Sequence, residues 1–132
     1  YRFESPFGGE FVLLLEITDP TVSVEERRCL AQAIVLSGWR HPLCRGVECS
    51  SWHDSIDDAL VLVGLADAST PFVMTTWHDD ELLQETLEFM LLDTAFDDFV
   101  PTAFVIVEVG GDGRMLTVAK TALQGFGPDC RP

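Results

Sequence analysis

Phe11-Val-Leu-Leu-Leu-Glu-Ile17 is the stretch on which the architecture turns. It is apolar almost throughout and lacks the alternation of a half-exposed strand. It therefore predicts a β-strand covered on both faces, at the centre of a helix-flanked sheet. Next, Ser23-Val-Glu-Glu26 has capping-box spacing, and Leu30, Ala31, Ile34 and Val35 recur at helical intervals. A helix is expected from about Val24 to Ser37, stopping near Gly38. A buried strand followed by a capped helix opens an α/β domain.

Working outward, Pro42, Gly46, Ser50 and Ser51 mark loops around one short strand, Arg45 to Cys49. Ala59-Leu-Val-Leu-Val-Gly-Leu65 and Phe72-Val-Met-Thr-Thr-Trp77 read as further strands, separated by a polar turn from Ala66 to Pro71. Asp79 or Asp80 is positioned to cap a helix running to about Leu92, because Leu82, Leu83, Leu87, Met90 and Leu91 share one side of the helical wheel. Ala103 to Val109 is the next strand, and Gly110-Gly-Asp-Gly113 turns it into an antiparallel partner, Arg114 to Lys120. The expected fold class is α/β: one domain over residues 1–124, a mixed sheet of about five or six strands, two main helices packed on it and a C-terminal β-hairpin. Residues 125–132 are expected to form a flexible tail.

Charge narrows the function. Among 132 residues, 22 Asp and Glu stand against 8 Lys and Arg, for a formal net charge of −14. No Lys or Arg occurs between Arg45 and Arg114. Such a chain repels phosphate backbones and anionic lipid, so no nucleic-acid and no membrane partner is expected. No apolar run approaches the roughly 20 residues of a membrane span. Four cysteines, Cys29, Cys44, Cys49 and Cys130, fall below the density of a disulfide scaffold and suggest a reducing cytoplasm.

The acid is clustered at some energetic cost. Glu81, Glu85 and Glu88 lie close together on the wheel, where each like-charge pair costs about 0.2–0.5 kcal/mol. Asp79 and Asp80 extend the stripe at one end and Asp93, Asp97 and Asp98 at the other. Such a stripe suits docking of a basic partner; a solvated acidic face and a cation site are the alternatives. Trp77, and Trp52 likewise, either closes the core or, beside carboxylates, offers an anchor for an arginine-bearing partner.

Other chemistry is weaker. His41, Cys44, Cys49 and His53 have zinc-compatible side chains but no C-x-x-C pair, leaving open structural zinc, a Cys44–Cys49 disulfide and ordinary thiols. No cofactor or metal is assigned. The nucleophile-elbow, phosphate-loop and zinc-protease motifs are absent, so a non-enzyme is expected. His53 beside Asp54, His78 beside Asp79, and the thiols of Cys29 and Cys49 are the residual catalytic candidates. A short echo, Ser51-Trp-His-Asp54 against Thr76-Trp-His-Asp79, fits shared helix-capping chemistry or a duplicated binding element.

Pro71-Phe-Val-Met-Thr-Thr-Trp-His-Asp-Asp80, the helix from Glu81 to Asp93 and Phe104-Val-Ile-Val-Glu-Val109 resemble segments of small acidic immunity proteins from bacterial polymorphic-toxin loci. The resemblance spans roughly 40 residues and carries over no site list. It implies a protein that binds and neutralises a cognate toxin or effector domain, using an acidic surface to block a basic active site or substrate channel. The residues expected to make that contact are Trp77, Asp79, Asp80, Glu81, Glu85, Glu88, Asp93, Asp97 and Asp98. A zinc-stabilised or structural interaction module, or an enzyme of unrecognised type, would be the other classes.

Overall fold

The computed structural model describes residues 10–37, 39–69, 73–96, 99–111 and 113–114. Strand β1 (Phe11–Ile17) is buried along its whole length. It pairs in parallel with β2 (Trp39–Gly46) on one side and β4 (Phe104–Val109) on the other. The short β3 (Thr76–His78) pairs in parallel with β2, giving a four-stranded sheet of order β3-β2-β1-β4. All strands described are parallel, where a mixed sheet was expected.

Helices cover both faces. Helices α1 (Val24–Leu36) and α2 (Cys49–Ala66) pack with Phe11, Leu13, Leu15 and Ile17. Helix α3 (Leu83–Leu92) brings Leu87 and Met90 against Val12, Leu14 and Leu43 on the opposite face. The double coverage explains why β1 reads as a continuous apolar run. Burying a leucine here contributes about 1.5–3 kcal/mol, so β1 anchors both layers. No helix among the described residues is long and apolar enough to cross a membrane.

The β1–α1 unit forms as the sequence predicts. Ser23 Oγ accepts from the Glu26 N–H at 3.1 Å, and Glu26 Oε2 accepts from the Ser23 N–H at 3.1 Å. Three other elements correct the expectation. The strand placed at Arg45 to Cys49 is instead β2, which begins at Trp39 and ends at Gly46. It tolerates Pro42 because β3 joins it only from Leu43 onward, so no ladder bond is lost on that side.

The strand expected at Ala59 to Leu65 is the second half of α2, an 18-residue helix. This helix buries Cys49, Trp52, Ile56, Ala59 and Val63 while leaving Val61, Leu62 and Leu65 exposed. The expected strand from Phe72 to Trp77 is represented by β3, and among the described residues three helices rather than two cover the sheet. Helix α3 has Leu82 at its N-cap, with Asp79 and Asp80 in the preceding turn rather than capping. Gly110, Gly111 and Gly113 have positive φ as a glycine turn requires. The expected hairpin strand beyond Arg114 and the tail at 125–132 lie outside the described residues.

Candidate functional site

A doubly wound parallel sheet presents its ligand crevice at the carboxyl ends of the strands, where the strand order reverses. Here the reversal lies between β1 and β4, and among the described residues the loops at those strand ends meet across it. The N–H groups of Thr18 and Asp19 both donate to Val109 O, at 2.9 and 3.1 Å, and Thr18 Oγ1 donates to the same oxygen at 3.2 Å. A Cβ on Gly110 would lie 2.6 Å from the Asp19 Cβ, so the two loops meet in contact. Asp19 Oδ1 accepts from the N–H and hydroxyl of Thr21, at 2.8 and 2.6 Å. The α1 N-terminus is occupied by its own capping box, with Glu25 and Glu26 in the first turn. A phosphate at this position would meet carboxylates in place of open backbone N–H groups.

An open cleft lies at the carboxyl ends on the β3 side. A cleft of about 480 Å³ is lined by Glu16, Ile17 and Thr18 from the end of β1, by Arg45, Gly46 and Val47 from the end of β2, and by His78, Asp79, Asp80 and Glu81 after β3. Gly46 shapes its wall with φ +98°, and a Cβ there would stand 2.1 Å from Ile17 O. That oxygen accepts from the Val47 N–H at 2.9 Å, tying the β1 and β2 ends together. Asp80 occupies the left-handed region at φ 54°.

Electrostatics give the cleft its character. Glu16 is only 5% exposed, and its Oε1 accepts from Arg45 Nη1. Arg45 Nε and Nη2 donate to Glu81 O at 3.3 and 3.2 Å, so this guanidinium is spent inside the protein. Glu16 Oε2 is buried without a hydrogen-bond partner. Glu108, directly opposite Glu16 in the β1–β4 register, also has a buried, unpartnered Oε2. Two carboxylates thus lie side by side on neighbouring strands, about 4.8 Å apart in the backbone, and Arg45 pairs with the Glu16 member.

Behind the rim runs a chain of polar side chains. Glu81 Oε2 meets His78 Nδ1, His78 Nε2 meets Thr76 Oγ1 at 3.0 Å, Thr76 Oγ1 meets His41 Nε2 at 3.3 Å, and His41 Nδ1 meets Thr94 O at 3.3 Å. A carbonyl only accepts, so His41 Nδ1 carries a proton. Burial holds the His41 imidazole below its usual range, aided by the field of His78 and opposed by the Thr94 carbonyl. A neutral His41 then accepts from the Thr76 hydroxyl, and Thr76 accepts from His78 Nε2. His78 Nδ1 faces Glu81 Oε2 at the other end of the chain. The order Thr76, His78, Glu81 resembles a nucleophile, base and acid. The Thr76 hydroxyl, however, is held between two imidazoles and does not line the cleft.

The residues predicted for partner contact do not form one continuous group. Trp77, Asp79, Asp80 and Glu81 sit at or beside the carboxyl rim, with Trp77 51% exposed on edge strand β3. Along α3, Glu85 and Glu88 are exposed; Glu85 Oε2 accepts from the Leu82 N–H at 3.1 Å and Glu88 Oε1 from Gln84 Nε2 at 3.4 Å. Asp93 is at the far end of α3, about 15 Å away at 1.5 Å per residue. Asp97 and Asp98 lie outside the described residues.

Sequence reasoning missed the α2 contribution to the rim. The His53 ring lies 4.5 Å from the Trp77 ring, between Asp54 Oδ1 at 3.0 Å and Asp57 Oδ2 at 3.5 Å. The two halves of the Trp-His-Asp echo are thus brought side by side. Trp52, by contrast, is a core residue of α2.

His41 and Cys44 extend to opposite faces of β2, one against Phe89 and the other into the α1–α2 layer, so they do not converge on a metal. Among the described residues no three His, Cys, Asp or Glu side chains are grouped to hold one. Cys29, Cys44 and Cys49 are free thiols. Burial pushes the Cys44 thiol far up, and burial followed by the Asp79 charge raises Cys49, which removes the thiolate a nucleophile needs.

Fold and rim together define an α/β domain of doubly wound type with an acidic cleft at the carboxyl ends of β1, β2 and β3. The chain belongs to the family described as a domain of unknown function (DUF7684), which matches residues 2–124. No curated protein and no solved structure matches it.

Proposed function

We propose that the protein is a non-catalytic binding module that docks a basic protein partner on the β3 edge and the adjoining carboxyl rim. In its finer form it is a cytoplasmic immunity protein that neutralises a cognate toxin domain by blocking a basic active site or substrate channel. One observation carries this reading: the half-exposed Trp77 indole rests on His53 amid Asp54, Asp57, Asp79 and Asp80, while the Arg45 guanidinium of the adjoining rim is engaged by Glu16 and Glu81. An aromatic anchor ringed by carboxylates accepts arginine through cation–π contact, and the surrounding field speeds association.

The test is affinity capture from a lysate of the encoding organism, at about 50 mM and about 300 mM salt, a range across which the Debye length shrinks about 2.4-fold. Wild-type protein is expected to retain a basic partner at the lower salt and lose it at the higher. Trp77→Ala/Asp79→Lys should retain none while melting as wild type does. A partner retained equally by the variant, or insensitive to salt, overturns the reading.

A further inference from the structure

We infer that the cleft at the carboxyl ends of β1, β2 and β3 is a receptor for a guanidinium group, supplied by an arginine side chain of the docked partner. This site rests on the docking reading above, and its own grounds are local. The lining places four carboxylates, Glu16, Asp79, Asp80 and Glu81, against the single guanidinium of Arg45. Arg45 is turned inward and Glu81 is held by His78, so neither balances an incoming ligand. Asp79 and Asp80 are exposed at the mouth.

The independent observation is Glu16. This side chain is more than nine-tenths buried, lines the cleft, and has one oxygen on Arg45 and the other on nothing. A buried acceptor left unmade costs about 1–3 kcal/mol, more when it is charged, and the neighbouring Glu108 adds a like charge in register. A cationic N–H donor entering from the cleft relieves both.

The chemistry selects among cations. Among the described residues no metal-type cluster forms, so a bare divalent ion lacks its ligand set. Phosphate-bearing ligands meet the same carboxylates with the wrong sign. A guanidinium is weakly hydrated and presents five donors in one plane. Arg45 already shows the matching mode, its fork spanning the Glu16 carboxylate and the Glu81 carbonyl.

The experiment titrates the folded protein with ethylguanidinium at millimolar concentrations, followed by amide chemical shifts. Ethylammonium and the neutral isostere ethylurea serve as controls. Saturable shifts are expected at Gly46, Val47 and 79–81 with ethylguanidinium, and none with ethylurea. Asp79→Asn/Asp80→Asn, whose surface positions spare the fold, should weaken binding by about ten-fold or more, equivalent to about 1.4 kcal/mol; Glu16→Gln should do the same where it folds.

Non-saturating shifts spread over the acidic surface, equal binding of ethylurea or ethylammonium, or undiminished binding by the double variant each overturn the guanidinium site. If ethylguanidinium fails while Trp77-dependent capture of the partner persists, the cleft assignment falls and the docking face stands. If ethylguanidinium binds as expected but no partner is captured, the docking reading falls, and with it the assignment of the guanidinium to a partner's arginine.

Discussion

Removing the Arg45 guanidinium by Arg45→Met should be among the most damaging single changes on the carboxyl rim. Arg45 and Glu16 are 17% and 6% exposed at their side chains, so the pair is largely withdrawn from water. The substitution deletes the bond to Glu16 and both bonds to Glu81 O. It also leaves the buried Glu16 carboxylate without its arginine, beside Glu108 in the next strand. Breaking a buried pair from one side costs about 3–5 kcal/mol, which the partial solvent access of Arg45 reduces to about 2–4 kcal/mol. Set against a total stability of about 5–15 kcal/mol, that is a large fraction. Glu16→Gln removes the charge with nearly the same shape and should cost only about 1–2 kcal/mol. Urea unfolding of the two single variants and Arg45→Met/Glu16→Gln completes a double-mutant cycle, with the slope of free energy on urea checked for constancy. The double variant should recover stability relative to Arg45→Met, with a coupling of about 1.5 kcal/mol or more. An Arg45→Met protein within about 0.5 kcal/mol of wild type, or strictly additive effects, would refute a buried charge cluster at the floor of the cleft.

Three further outcomes follow from the same geometry. Gly46→Ala should cost at least about 1–3 kcal/mol in chemical unfolding, because a Cβ at φ +98° meets Ile17 O at 2.1 Å and parts the β1 and β2 ends. Ser23→Ala should cost about 1 kcal/mol by the same assay, since it opens the α1 capping box. The depressed His41 titration makes the unfolded chain bind a proton that the folded protein refuses. Stability therefore falls as pH drops below about 6.5, and thermal melts of His41→Asn should show a shallower decline across that window.

The elements legible in the sequence are those whose signals are local. Phe11–Ile17 is apolar on both faces because both are covered, and the Ser23/Glu26 pair lies within one turn, so β1 and α1 read directly. Helix α2 was obscured because its N-cap, Glu48, sits at φ 53° and makes no side-chain cap bond. The apolar residues at its second half then mimic a buried strand. The spacing of Cys49, Trp52, Ile56, Ala59 and Val63 carried the helical period across that stretch. Strand β2 was hidden by Pro42 and by His41 and Arg45, polar residues whose partners come from distant segments.

The site divides in the same way. Trp77, Asp79 and Asp80 were recognisable because they are consecutive or nearly so. The Arg45–Glu16 pair spans 29 residues and His53 reaches Trp77 only through the packing of α2 on β3, so neither has a sequence signature. A helical wheel carries no sign that Glu81 turns back to His78 or that Glu85 holds the Leu82 N–H.

Hydrogen exchange of the protein with and without its captured partner locates the docking face directly. Slowed exchange at residues 53–58 and 76–88, with no change on the outer surface of α1 and α2, is the expected result. Protection confined to residues 28–32 and 60–65, where Val61, Leu62 and Leu65 are exposed, would contradict it and show that the partner binds an apolar helix face instead of the acidic rim.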